Sequence, residues 1–162
     1  MHSNTFEVDD TSLYKRICGY KDKNLKQIEE LMKVILIPRG NTIIVKSQEG
    51  SEKAMEALHL ISDYLIKKEG NQELDEFEVR YISACINSGK KIKTEDINRL
   101  KIYIPDSGRT IVPRTINQAA YITAINRSPI TVGIGPAGTG KTYLAVVMAI
   151  HYFLKGKAER IV

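Results

Sequence analysis

Ile130-Thr131-Val132-Gly133-Ile134-Gly135-Pro136-Ala137-Gly138-Thr139-Gly140-Lys141-Thr142 is an apolar run that opens into a glycine-rich loop. Its second half, Gly135 to Thr142, fits the pattern G-x-x-x-x-G-K-[ST]. The residue types follow from what such a loop must do. Glycines and small residues let successive backbone N–H groups curl around a phosphate chain with no Cβ in the way. The helix that follows adds unpaired N–H groups and a positive dipole end. Lys141 brings a point charge to the β- and γ-phosphates, and the Thr142 hydroxyl can ligate Mg²⁺. Ile130–Ile134 reads as a short strand, and Thr142–Leu154 reads as an apolar helix closed near Gly156. Strand, loop and helix in that order are the context the motif requires.

Working upstream, Ser128-Pro129 breaks a helix that runs from Ile116 to about Asn126, with Thr115 as its cap. Gln118 lies on that helix, shortly before the loop. Its amide offers a donor and an acceptor together, which suits the N6/N7 edge of adenine; a solvated surface glutamine is the plainer alternative. Ile102–Ile104 and Thr110–Val112 flank Pro105-Asp106-Ser107-Gly108 and predict a hairpin. Thr94 is placed to cap a short helix containing Ile97 and Leu100. Phe77, Tyr81, Ile82 and Ile86 predict another helix, and the polar stretch Lys67–Asp75 marks a boundary.

Before that boundary the pattern is helix, strand, strand, helix. Asp22 is a candidate cap for a helix that buries Leu25, Ile28, Leu31 and Met32. Val34–Ile37 predicts a buried strand ended by Pro38, Arg39-Gly40-Asn41 a tight turn, and Thr42–Lys46 the returning strand. After a polar loop, Gln48–Ser51 with Ser51 as cap, a helix buries Ala54, Ala57, Leu58, Ile61 and Leu65 and closes at Gly70. Both helices cover one sheet face. Thr5–Val8 and Leu13–Ile17 fit either a strand or a short helix.

Composition narrows the classes further. The 162 residues are 43% apolar and 27% charged, as in a globular domain or two small ones, which excludes wholesale disorder. No apolar run is long enough for a membrane helix, and the polar, acidic Met1–Asp10 is no signal peptide. Cys18 and Cys85 lack a metal-ligand or disulfide pattern, which favours two ordinary semi-buried thiols and a reducing cytosol. His2, His59 and His151 share no metal spacing. The net charge is +5, with Lys+Arg against Asp+Glu at 11 and 11 in residues 1–70, 9 and 7 in 71–129, and 4 and 1 in 130–162. That excess is thin and largest around the phosphate motif. Lys15, Lys21, Lys23 and Lys26, with Tyr14 and Tyr20 between them, form a local cluster that is either a solvated helix start or an RNA-backbone patch with stacking rings.

The run Ile130–Ala145 resembles the start of the ATPase domain of the PhoH-like family. So does the lead-in Pro113–Ile125, with its Asn117-Gln118-Ala119-Ala120-Tyr121-Ile122. Asn24-Leu25-Lys26-Gln27-Ile28-Glu29-Glu30-Leu31, followed by Arg39-Gly40-Asn41, is similar to that family's N-terminal module. The resemblance implies a cytoplasmic ATP-binding protein related to helicase-like P-loop ATPases and associated with RNA metabolism. By the same resemblance, Gly135, Pro136, Ala137, Gly138, Thr139, Gly140, Lys141 and Thr142 hold the phosphates, Lys141 is catalytic and Gln118 holds the adenine. The N-terminal unit also resembles a KH-type RNA module, although where such a module carries G-x-x-G this chain offers Gly19-Tyr20-Lys21-Asp22.

The expected architecture is therefore an α/β P-loop domain of RecA/helicase-like type, only its start present, behind a small α+β KH-like domain. Residues 1–70 form the module, 71–112 connecting helices and a hairpin, and 113–162 the start of the ATPase domain. The chain reads as the N-terminal part of a longer protein. The helix after the loop is apolar almost all round and needs more sheet to cover it, and no Walker B acidic residue follows it. On this reading the 162 residues alone turn over little ATP, and the intact protein can be an oligomer. A non-catalytic RNA-binding adaptor and a small-molecule P-loop kinase are the alternatives.

Overall fold

The computed structural model describes residues 2–48, 51–68, 72–105 and 108–162. The chain divides into two compact units, Met1–Thr94 and Glu95–Val162. The first contains β1 (His2–Glu7), α1 (Thr11–Cys18), α2 (Lys23–Met32), β2 (Ile35–Arg39), β3 (Thr42–Ser47), α3 (Ser51–Lys67) and α4 (Glu76–Asn87). Its three strands pair antiparallel in the order β1-β3-β2. The two stretches that read as either strand or helix resolve into one of each, β1 and α1, and Asp10 caps α1 by accepting from the Ser12 N–H at 2.7 Å. Along β3 the buried Ile43, Val45 and Ser47 alternate with half-exposed Thr42, Ile44 and Lys46, so only one sheet face is covered. Helix α3 buries Ala54, Ala57, Leu58, Ile61, Tyr64 and Leu65, the stripe its helical spacing predicts plus Tyr64. Each large aliphatic chain there contributes about 1.5–3 kcal/mol by leaving water.

Three local expectations are corrected. The strand expected to be buried and stopped by Pro38 runs through Pro38 to Arg39, with Ile35 and Ile37 exposed. The reason is its place at the sheet edge, where proline's missing N–H is tolerated and alternate residues face solvent. That edge is partly closed by Glu29, whose carboxylate accepts from the Leu36 N–H at 2.7 Å. Asp22 makes no side-chain cap on α2. It lies in the left-handed region, φ 58°, at the end of a 3₁₀ turn, Tyr20–Asp22, that also holds Lys21 left-handed at φ 52°. The turn is sharp because Asn24, fully buried, reaches back with Nδ2 to the carbonyls of Arg16 and Ile17, both at 3.2 Å. A Cβ on Gly19 (φ 72°) would lie 2.7 Å from Asn24 Cγ, so glycine is required there by conformation and by space. Leu31 is only half-buried.

Helix α4 begins with a capping box that the sequence reading missed. Asp75 accepts from the Glu78 N–H at 2.8 Å, and Glu78 accepts from the Asp75 N–H at 2.9 Å. The Glu78 carboxylate is fully buried and also takes the Tyr64 hydroxyl and the Lys68 ammonium, the latter at 3.0 Å. This network joins α3 to α4. Of the segment 71–112, α4 lies in the first unit and the residues from Glu95 onward in the second. Gly70, expected to close α3, lies outside the described residues, as do part of the loop ahead of Ser51 and the side chain of Thr94.

The second unit holds α5 (Thr94–Arg99, which it shares at one residue with the first), β4 (Ile102–Ile104), β5 (Arg109–Ile111), α6 (Ile116–Arg127) and α7 (Lys141–Leu154). β4 and β5 form the expected hairpin, pairing Ile102 with Ile111; Asp106 and Ser107 at its turn lie outside the described residues. The core gathers Ile97, Leu100, Ile102, Ala119, Ile122, Leu144, Val147 and Met148. Ile130–Ile134 is not a strand. Ile130, Val132 and Ile134 are 82%, 78% and 92% exposed, because neither sheet among the described residues offers this run a pairing partner. For the same reason α7 is covered on one side only, with Tyr143, Val146, Ile150 and Phe153 facing solvent. No helix of the described residues is long and apolar enough to cross a membrane.

Candidate nucleotide-binding site

The loop from Gly135 turns at Ala137-Gly138 and enters α7 at Lys141, with Gly140 at the cap position. Gly138 (φ 75°) and Gly140 (φ 81°) take left-handed backbone, and a Cβ on Gly140 would meet Gln118 Nε2 at 3.1 Å. The Leu144 N–H donates to the Gly140 carbonyl at 3.0 Å and closes the first helical turn. The N–H groups of Ala137, Gly138, Thr139 and Gly140 meet no acceptor among the described residues. Unpaired donors at a helix mouth form an anion site.

Lys141 folds back over this loop. Its Nζ donates to the carbonyls of Gly135 at 2.8 Å and Pro136 at 2.5 Å and to Thr139 Oγ1 at 3.1 Å. Thr139 Oγ1 in turn donates to the Pro136 carbonyl at 3.0 Å. The positive charge is thus held at the loop mouth by acceptors that a phosphate oxygen can replace. Thr142 is exposed one residue further along α7. No group of three His, Cys, Asp or Glu side chains among the described residues could hold a metal.

Gln118 is half-buried and engaged at both ends of its amide. Oε1 accepts from the Arg114 N–H at 2.7 Å, and Nε2 donates to the Thr139 carbonyl at 3.2 Å. The Gln118 N–H donates to Thr115 Oγ1 at 3.2 Å, so Thr115 caps α6 as expected. Thr115-x-x-Gln118 is a capping-box spacing, with the side chain reaching one residue beyond the usual partner. That spacing was legible in the sequence, whereas the bond to Thr139 was not. The structure therefore brings Gln118 and the Gly135–Thr142 loop together.

The other candidates lie apart from this loop. His59 packs edge-on against Phe6 with ring centroids 4.9 Å apart. His151 Nδ1 lies 3.2 Å from the Tyr103 carbonyl. Lys15, Lys21, Lys23 and Lys26 are exposed around the corner between α1 and α2, where Tyr20 is 70% exposed and Lys21 lies over its ring at 5.4 Å. Tyr14 is not a free stacking ring. Its hydroxyl donates to the Thr42 carbonyl at 3.4 Å, and burial, with Cys18 and Asp22 adding to it, pushes its pKa up to about 12. Cys18 and Cys85 are buried and unpaired, and burial raises both thiols, as suits inert side chains.

A glycine-rich loop with inward lysine at the mouth of an apolar helix is the arrangement of P-loop proteins. A family model described as PhoH-like protein matches residues 110–162. The PhoH-like protein of Mycobacterium tuberculosis (strain ATCC 25618 / H37Rv) is 33% identical over 147 residues, covering 90% of this chain and 41% of its own length. That of Bacillus subtilis (strain 168) is 33% identical over 144 residues, at 89% and 44%, and that of Synechocystis sp. is 24% identical over 147 residues, at 90% and 44%. This chain belongs to the PhoH-like family, a family of P-loop ATP-binding proteins, and spans less than half the length of these curated relatives. No solved structure matches it.

Proposed function

We propose that this chain is the nucleotide-holding part of a cytoplasmic PhoH-like ATPase that acts on RNA. The observation that carries the reading is the run of unpaired N–H groups from Ala137 to Gly140 beside the Lys141 ammonium, a run that can close as a cup around phosphate. In this reading the cup takes the β- and γ-phosphates of ATP, and Lys141 leaves its carbonyl partners to pair with them. Thr142 ligates Mg²⁺, and the Gln118 amide reads the adenine edge. The acidic group that would orient the attacking water belongs to the longer protein. Titration of a fluorescent ATP analogue into the chain tests the cup. Lys141→Ala should weaken binding at least about tenfold, the scale of one charge-assisted contact. Equal affinity in the variant would overturn the assignment.

The RNA part of the reading draws support from the first unit. A three-stranded antiparallel sheet covered on one face, with a glycine-led turn between α1 and α2, suits a KH-like module. The exposed Lys15, Lys21, Lys23 and Lys26 and the Tyr20 ring at that turn are where it would meet a single strand. This feature also favours a second reading, an RNA-binding adaptor in which the phosphate loop is not catalytic.

A further inference from the structure

The net charge of the chain belongs entirely to one unit. Residues 95–162 carry nine Lys+Arg against four Asp+Glu, while residues 1–94 carry fifteen of each. The thin excess seen along the sequence is therefore gathered in space. Arg99, Lys101, Arg127, Lys155 and Lys157 line one cleft of about 360 Å³, joined there by His151. Among the described residues the one acidic side chain in its lining is Asp96, which lies 3.5 Å from Arg99 and 3.3 Å from Arg127. Arg99, Arg127, Lys155 and Lys157 against this one carboxylate leave an excess of about three positive charges.

The contacts within the chain offset only part of this charge. Lys155, just past α7, complements the negative end of the helix dipole. Arg99 and Arg127, from α5 and α6, meet at Asp96, but two guanidiniums on one carboxylate still leave a positive surplus. Like charges brought together weaken a fold unless something anionic offsets them. The side chains of Arg99 and Arg127 remain 70% and 62% exposed, so they are open to a ligand.

The chemistry of the walls narrows the ligand. Tyr152 is fixed by its hydroxyl, which donates to Asn126 Oδ1 at 2.8 Å, and Lys157 lies over its ring at 5.4 Å. Tyr103 is outside the lining but next to it, its carbonyl 3.2 Å from the lining His151, and it is 52% exposed. Cations that track phosphates beside aromatic rings are the means by which proteins hold single strands. A volume near the lower end of the range for ligand pockets, about 300–1,000 Å³, admits one unpaired nucleotide but no duplex. The cleft also lies at the far end of α7 from Lys141, about 20 Å away at 1.5 Å per residue over fourteen residues. It is not part of the phosphate loop.

We propose that this cleft binds the sugar–phosphate backbone of single-stranded RNA. The proposal rests on the RNA reading above and places a contact in the second unit rather than at the turn of the first. The test is fluorescence anisotropy of a labelled oligouridylate with the full 162-residue chain over a salt series. Arg99→Gln, Lys155→Gln and Lys157→Gln together should weaken binding about tenfold or more. They should also reduce the salt slope by about two, at about 0.7 per lost phosphate contact. Unchanged binding of the fluorescent ATP analogue will show that the variant is folded. If Lys21→Gln, Lys23→Gln and Lys26→Gln abolish RNA binding while the cleft variant binds as well as the parent, the RNA reading stands and the cleft assignment falls. If the parent chain gives no anisotropy change even at low salt, the RNA reading itself falls. Competition by inorganic polyphosphate as effective as that by unlabelled oligouridylate would reduce the cleft to a general polyanion patch and overturn its assignment to RNA.

Discussion

Gln118→Ala separates two roles that one amide could serve. In the ligand-free structure Oε1 takes the Arg114 N–H and Nε2 holds the Thr139 carbonyl, so the amide is already tied to the loop. Each such bond contributes about 0.5–1.5 kcal/mol net. Reading adenine with the same two atoms is worth about 1–3 kcal/mol of discrimination, but the base must first displace these partners. The surplus for ATP over CTP is then near the lower end, about 1 kcal/mol, or about fivefold in affinity. Parallel titrations of the fluorescent ATP and CTP analogues should show that preference in the parent chain and its disappearance in Gln118→Ala. Loss of the Thr139 bond should also weaken both nucleotides by a common factor, since the loop is no longer braced. An equal loss for both nucleotides with the preference intact would refute base reading and leave Gln118 as a brace for the loop.

Two further predictions concern the first unit. Glu78→Ala removes the acceptor shared by the Tyr64 hydroxyl, the Lys68 ammonium (11% exposed) and the Asp75 N–H, so it should cost about 3–5 kcal/mol in urea unfolding followed by circular dichroism; a loss under about 1 kcal/mol would show the network to be dispensable. Stability should also fall with rising pH above about 9. Burial raises the folded pKa values of Cys18, Cys85, Tyr14 (to about 12) and Tyr64, the last also through its bond to Glu78, so the unfolded chain sheds these protons first. Their contribution is complete below the unfolded values and is lost upward through the folded ones, for Tyr14 between about pH 10 and 12. A urea midpoint that holds steady or rises between pH 9 and 11 would contradict this.

What could be read from the sequence divides along the line between local and distant causes. The stripe Ala54–Leu65, the hairpin at Gly40-Asn41 and the loop Gly135–Thr142 are each fixed by residues within a few positions of one another, and each stands where it was expected. Ile130–Ile134 shows the limit of that reasoning. Its apolar, β-branched residues satisfy every local criterion for a strand, but a strand exists only through a neighbour's hydrogen bonds, and none of the described strands lies alongside. Asp22 fails differently. It has the right residue type at the right offset, but Asn24 locks the preceding turn and sets its backbone left-handed before the side chain can cap. The site shows both limits at once. Gln118 is oriented by Thr115 and Arg114 close by, yet the bond that matters for the loop reaches Thr139, which local patterns do not reveal. The basic cleft is the extreme case, because its cations run from Arg99 to Lys157 and look evenly dispersed until α5, α6 and α7 fold together. Charge counted along the chain put its thin excess around the phosphate motif, whereas charge counted within the folded unit gathers at the end of α7 opposite that loop. Under the proposed reading α7 carries one anion site at each end, and a single helix is a rigid link by which a change at one could reach the other.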